Sequence, residues 1–138
     1  MPVDASLQGR TFPPTAPYEV SRHKLDEFAA ATGNEYADGS APATFPIVVA
    51  FQAMTDLMND PTVGIQLHHV VHGEQRFSYQ RPVVAGDVLS ATLTVESLRQ
   101  IGGADIIGTR SDITDADGEL VVTAYATLVH KAPEEATA

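Results

Sequence analysis

No cysteine occurs in the chain, which excludes a disulfide framework, a thiolate nucleophile and a cysteine zinc site, so nothing requires an oxidising compartment. Positive charge is scarce. Eight Lys and Arg stand against 18 Asp and Glu, a formal net charge of -10, and a phosphate backbone is repelled by such a surface, so nucleic acid is not an expected partner. The acidic residues are scattered rather than run together, and solubility accounts for them. No apolar run reaches the ~18 residues of a membrane span. The N-terminus, MPVDASLQGR, has no basic start followed by an apolar h-region. A cytoplasmic protein with no membrane partner is the expectation.

What is present is organised around Thr44 to Asn59, TFPIVVAFQAMTDLMN, which reads as one long helix. Its first half is apolar on every side, and polarity returns only at Gln52, Thr55, Asp56 and Asn59. That spacing of i, i+3, i+4, i+7 makes a single stripe, so the rest of the helix is expected to be enclosed. At about 1.5 Å per residue the helix approaches the width of a small sheet. A sheet is expected to wrap around it.

The length of 138 residues suits one domain, and no composition shift or repeat suggests a second. Residues 1–16 contain three prolines, Pro2, Pro13 and Pro14, without periodicity, an extended lead-in. Tyr18 to Val20 suit a short edge strand. Ser21 is a candidate N-cap for a helix with Leu25, Phe28, Ala29 and Thr32 on one face, and Gly33 suits its end.

After Asp60-Pro61 the period changes from 3.6 to 2. Between His69 and Gln80, one face is expected to carry Val71, Phe77 and Tyr79, and the other His72, Glu74, Arg76, Ser78 and Gln80; Gln75 lies with Phe77. A second strand alternates Leu89, Ala91, Leu93 and Val95 against Ser90, Thr92, Thr94 and Glu96 until Gly102-Gly103. A third spans about Asp105 to Thr114, Asp117-Gly118 makes a hairpin turn, and a fourth spans Glu119 to His130. Residues 132–138 are expected to fray. The fold class is α+β: a long central helix wrapped by a curved antiparallel sheet whose unpaired edges invite a second copy.

Four passages resemble a known group in order and wording: GRTFPPTAPYEVSRHKLDEFAAATG at 9–33, APATFP at 41–46, VVHGEQRFSYQRPVVAGD at 70–87 and DADGELVVTAYATLV at 115–129. They cover a little under half the chain, in the group's order. The resemblance is to the hotdog fold of the MaoC-like (R)-specific hydratases and dehydratases, and more narrowly to HadA-like subunits of (3R)-hydroxyacyl-ACP dehydratases.

Active members of that group carry a hydratase motif, Gly-Asp-x-Asn-Pro-(Leu/Ile)-His, after the first helix. Its Asp and His manage the water added or removed across the 2,3 bond of an acyl thioester. Here Gly33 matches, but the Asp position is Asn34, the Asn position Tyr36, the Pro position Ala37 and the His position Gly39. A loop of roughly ten residues that relatives carry before the APxTF passage is missing. Asn34 cannot act as a general base and Gly39 has no imidazole. No histidine lies between His23 and His68.

The resemblance therefore implies a subunit without its own acid/base pair, which shapes an acyl channel through Phe45, Pro46, Phe51, Gln75 and Phe77 for a HadB-like partner. Its ligand would be an acyl-ACP or acyl-CoA in fatty-acid or polyketide elongation. A noncatalytic homodimeric module that binds acyl thioesters or a protein is the alternative. A third reading moves chemistry to His72 with Glu74, or to Asp56 as the carboxylate of a hotdog thioesterase. Their plainer explanations are a polar sheet face and a solvated helix face.

Phe45, Val49, Phe51, Met54 and Phe77 are otherwise core positions. His68 and His69 are adjacent on an extended chain and should point to opposite faces, so no metal site is expected. No P-loop, dinucleotide fingerprint or Ser-His-Asp set is present, and no cofactor is expected.

Overall fold

A computed structural model describes residues 5–34 and 40–131, so the expectations for Tyr36, Ala37, Gly39 and the 132–138 tail lie outside the described residues. In order, the elements are β1 (Tyr18–Glu19), α1 (Arg22–Thr32), α2 (Ile47–Asn59), β2 (Val70–Tyr79), β3 (Val88–Ile101), β4 (Ala104–Thr114) and β5 (Leu120–Lys131). The strands form one antiparallel sheet in the order β1-β3-β4-β5-β2, which leaves β2 along a free edge. The sheet curls around α2, which packs principally on β3 and β4.

Local chemistry explains the boundaries. The Ser21 hydroxyl accepts from the Lys24 N–H at 3.0 Å, and Gly33, at φ 72°, adopts the left-handed turn that ends α1. The central helix begins at Ile47, three residues later than its apolar run suggests, because Thr44 to Pro46 form a tighter i to i+3 turn. Phe45 in that turn is fully buried, edge-on to Phe28 with ring centroids 5.3 Å apart. Gly102 and Gly103 both have positive φ, 59° and 80°, which a tight β3–β4 reversal of this hand requires.

The described part of the lead-in begins with a 3₁₀ turn, Ala5–Leu7, where the sequence suggests extended chain, and from there runs docked along β3. Its backbone bonds along β3, from Gly9 N–H to Val95 O at 2.8 Å, Phe12 N–H to Leu93 O at 2.8 Å and Thr15 N–H to Ala91 O at 3.0 Å, while Leu7 and Phe12 enter the core.

Two further expectations are corrected. The first half of α2 is not enclosed on every side: Val49, Ala50, Ala53, Met54, Leu57 and Met58 are buried, but Phe51 is 49% exposed and Ile47 and Val48 are half-buried. β2 does not alternate regularly either. A β-bulge at Gly73 shifts its register against β5, so that His72 faces Leu128 and Glu74 faces Thr127. The helix-facing side of β2 is therefore Val70, His72, Gln75, Phe77 and Tyr79, opposite the buried His130, Leu128, Ala126, Ala124 and Val122. Val71, 65% exposed, lies on the outer face.

Candidate functional site

The free edge of β2 and the Phe51 flank of α2 form two walls of an open apolar groove. Near the start of β2, Phe51, Met58, Val70, His72 and Leu128 enclose a pocket of about 180 Å³. The bulge turns His72 into this pocket and sets it beside Gln75, with His72 Nε2 3.0 Å from Gln75 Oε1. An amide oxygen only accepts, so with the Gln75 amide in this orientation the neutral ring carries its proton on Nε2 and leaves Nδ1 as an acceptor. The Gln75 amide nitrogen is buried and has no hydrogen-bond partner among the described residues.

At the far end of β2, Ala41, Ala43, Tyr79, Gln80, Arg81 and Pro82 border a second, mostly apolar space of about 400 Å³. The Tyr79 hydroxyl donates to the Ala43 carbonyl, and burial pushes its pKa up to about 12. It is therefore a neutral donor.

The floor of this end is braced. Arg81 grips Asp87 with both terminal nitrogens, at 2.9 and 3.2 Å, and reaches Asp115 at 3.3 Å. The Asp87 hydrogen bond raises the Arg81 pKa further, and the Glu119 N–H, with Arg81 and the Asp117 N–H, holds the Asp115 carboxyl below its usual range. The network ties the β2–β3 connection to the β4–β5 turn, so that Asp117-Gly118 belongs to a loop organised by Asp115, whose Oδ1 accepts from Asp117 N–H and Glu119 N–H at 3.0 Å each.

The three fallback catalytic positions occupy three separate places. His72 is in the groove. Glu74 is on the outer sheet face, 3.5 Å from Arg76, whose guanidinium lies over the Tyr125 ring at 4.1 Å. The bulge thus separates His72 from Glu74, which plain alternation had put on one face. Asp56 is about 140° around α2 from Phe51 at 3.6 residues per turn. It accepts from Gln52 at 3.2 Å and lines a different space, of about 600 Å³, with Lys24, Tyr18 and the Thr15 to Pro17 segment. None of the three pairs with another.

Among the remaining expected site residues, Gln75 and Phe77 share the helix-facing side of β2 and Phe51 opens into the pocket. Phe45 and Pro46 are buried at the head of α2. Asn34 donates from its amide to Thr32 Oγ1 at 2.7 Å, turned back on its own helix. Gly33 acts as the α1 cap. His68 and His69 do not diverge: they occupy a 3₁₀ turn, Leu67–His69, with ring centroids 4.2 Å apart. Among the described residues no group of three metal-ligating side chains occurs.

One polar constellation escapes sequence reading altogether. Asp105 and His130 are a cross-strand pair on β4 and β5, both buried, with His130 Nδ1 3.0 Å from Asp105 Oδ2. The Gln66 N–H donates to His130 Nε2 at 3.0 Å, and the Gln100 amide to Asp105 Oδ1 at 2.8 Å. Both imidazole nitrogens are thereby engaged, so the pair holds the segment before β2 rather than offering a base. Its trace in the sequence is a polar residue at an inward position of each strand, visible only once register is known.

The curled sheet around one helix, with an apolar groove at its free edge, defines a hotdog protein of the MaoC-like dehydratase type. A chain of the HadBC (3R)-hydroxyacyl-ACP dehydratase complex of Mycobacterium tuberculosis is similar, with a TM-score of 0.78 and 33% identity over 89% of this chain and 96% of that one. A MaoC-like dehydratase superposes with a TM-score of 0.77 at 28% identity, over 94% of this chain but 43% of its own. The family of the FAS1-like dehydratase domain region matches residues 6–124. UPF0336 proteins of Streptomyces griseus and Cutibacterium acnes are 44% and 37% identical, covering 99% and 97% of this chain and 100% and 98% of theirs. The chain belongs to this dehydratase-domain family, in its UPF0336 branch.

The alignment with the Streptomyces relative runs over 150 positions, more than this chain has residues, whereas that with the Cutibacterium relative runs over 139.

Proposed function

We propose that this chain is a HadA-like subunit of a (3R)-hydroxyacyl thioester dehydratase or hydratase, forming one wall of the acyl groove while a HadB-like partner supplies the Asp and His. The carrying observation is the apolar groove between Phe51 on α2 and β2, the edge strand of the sheet, which the described residues leave open to solvent. Dehydration requires a base to take the proton from C2 and an acid to protonate the departing hydroxyl at C3. Among the described residues the groove offers no such pair: Asn34 has no basic lone pair suited to the task, and His72 is separated from Glu74 and Asp56.

The 33% identity to a chain of a two-subunit dehydratase supports the same reading. An acyl chain would lie along Phe51, Met58 and Leu128, and closure by the partner would exclude water and place the thioester against the partner's acid and base. The substrate would be an acyl-ACP or acyl-CoA of fatty-acid or polyketide elongation.

The test is hydration of a trans-2-enoyl thioester by the chain alone, by a MaoC-like subunit with an intact Asp and His, and by the co-purified mixture. Turnover in the mixture well above the sum of the separate proteins is expected. Full turnover by this chain alone, or no association and no change in rate, would sink the proposal; the latter result favours the noncatalytic homodimer.

A further inference from the structure

The groove contains a polar device that the channel role does not require. Its walls at the pocket are Phe51, Met58, Val70 and Leu128, yet His72 stands among them. It is there because the chain carries one extra residue. Regular alternation would place His72 and Gln75, three apart, on opposite faces; the bulge at Gly73 brings both to the helix-facing side within hydrogen-bond distance.

Glycine is not demanded by space or backbone at that position, since a Cβ there would meet Thr127 O at 3.5 Å and Val129 Cγ2 at 3.8 Å, ordinary contacts. The bulge's consequence is the placement of the imidazole. Gln75, accepting from Nε2–H, orients the ring and selects its tautomer, and the remaining nitrogen is an acceptor in an apolar pocket.

An acyl chain laid over this pocket strips water from that nitrogen. A saturated chain offers nothing in return and leaves the nitrogen unpaired, whereas a hydroxyl on the chain restores the hydrogen bond. A site that bonds a hydroxyl discriminates strongly against the analogue lacking it, because the unpaired polar group is the penalty. We propose that His72 is the specificity-determining contact of the groove, hydrogen-bonding a hydroxyl carried by the bound acyl chain, with Gln75 as its positioning residue.

This rests on the acyl-groove reading above. The nearby charged groups point elsewhere: Glu74 and Arg76 are on the other face of the sheet, and Asp56 on the other flank of α2.

The experiment uses the purified chain in the oligomer it forms, alone and with a co-expressed partner whose catalytic Asp and His have been replaced, so that the 3-hydroxyacyl ligand is neither held nor dehydrated by them. Binding of 3-hydroxydecanoyl-pantetheine and of decanoyl-pantetheine is measured by calorimetry. The wild type is expected to favour the hydroxylated ligand by about tenfold or more. His72→Phe is expected to bring the ratio close to one. Gln75→Met should reduce the ratio and also convert the ¹⁵N signals of the His72 ring from a single tautomer to an average of two, a change that loss of packing alone does not produce.

Equal affinities in the wild type, or a preference that survives His72→Phe, overturns the assignment of His72 while leaving the groove intact. An unchanged ¹⁵N signature in Gln75→Met removes Gln75 as the positioning residue. Failure of both ligands to bind either form overturns the acyl groove itself.

Discussion

Single side chains decide more here than their number suggests, and two of them make opposite predictions. The Gln75 amide nitrogen is buried and unpaired among the described residues, and an unsatisfied buried donor costs about 1–3 kcal/mol. Gln75→Met keeps the shape and removes the unpaired donor together with the acceptor of the exposed His72 bond, worth about 1 kcal/mol. The two effects partly offset, so the unliganded protein is expected to lose no stability and to gain at most about 1 kcal/mol by calorimetry; a loss beyond about 1 kcal/mol would show that the amide nitrogen is satisfied. His130 is the reverse case. Its two nitrogens hold Asp105 and the Gln66 N–H in the interior, so His130→Ala leaves a buried carboxylate short of a partner and is expected to cost about 3–5 kcal/mol in urea denaturation. Asp105→Asn should not be benign either. Both neighbours, Gln100 Nε2 and His130 Nδ1–H, are donors, and an amide can accept from only one of them through its single oxygen. A cost below about 1 kcal/mol for either change would mean that the network is dispensable.

Elements are joined by the acidic turns, and this is where pH acts. The Asp115 carboxyl is held below its ordinary value of 3.8 mainly by the Glu119 N–H, with help from Arg81. A carboxyl with a depressed folded pKa contributes stability that is present above the unfolded value and lost as pH falls through the folded one. Asp115→Asn is therefore expected to lower stability at neutral pH and to flatten the acid side of the stability curve below about pH 4, measured by thermal denaturation across pH. An unchanged acid limb would place the coupling elsewhere.

Along β2, the bulge makes a matching prediction: Glu74, on the outer face with Arg76, is an exposed ion-pair member worth less than about 1 kcal/mol. In the complex proposed above, Glu74→Ala should leave turnover of a trans-2-enoyl thioester within about twofold, and a tenfold loss would return Glu74 to the site.

These elements also show what sequence can carry. The caps at Ser21 and Gly33, the Gly102-Gly103 reversal and the inward set Leu89, Ala91, Leu93 and Val95 are local rules of periodicity and turn chemistry, and the chain obeys them. The extra residue at Gly73 and the 3₁₀ geometry of His68-His69 break periodicity without a signal of their own, so the faces assigned to His72, Val71 and the histidine pair came out wrong. Asp105 and His130 lie 25 residues apart and meet only through the β4–β5 register. Sequence supplied each residue but not the pairing.

At the scale of the whole molecule, the sheet is unfinished on one side. β2 presents the full length of Val70–Tyr79 as a free edge, and the flank of α2 above it exposes half of Phe51. Unpaired strand edges are templates for another chain, and an apolar side chain beside such an edge adds the burial that makes association stable. The two features lie on the same side as the groove, so the surface that would pair subunits is continuous with the surface that would hold the acyl chain. Assembly and ligand binding should then fail together.

Phe51→Asp introduces a charge at a position already half exposed, so the fold should survive with unchanged circular dichroism. The dimer, formed with itself or with the catalytic partner, should weaken at least about tenfold in light scattering across a dilution series. Binding of decanoyl-pantetheine should fall with the dimer fraction rather than independently of it. If the wild type is monomeric at every concentration and with every MaoC-like partner, β2 is not a pairing edge and the groove must close by some other means. If Phe51→Asp dissociates the dimer but leaves ligand binding intact, the groove is complete within one chain, and the partner contributes chemistry without contributing a wall.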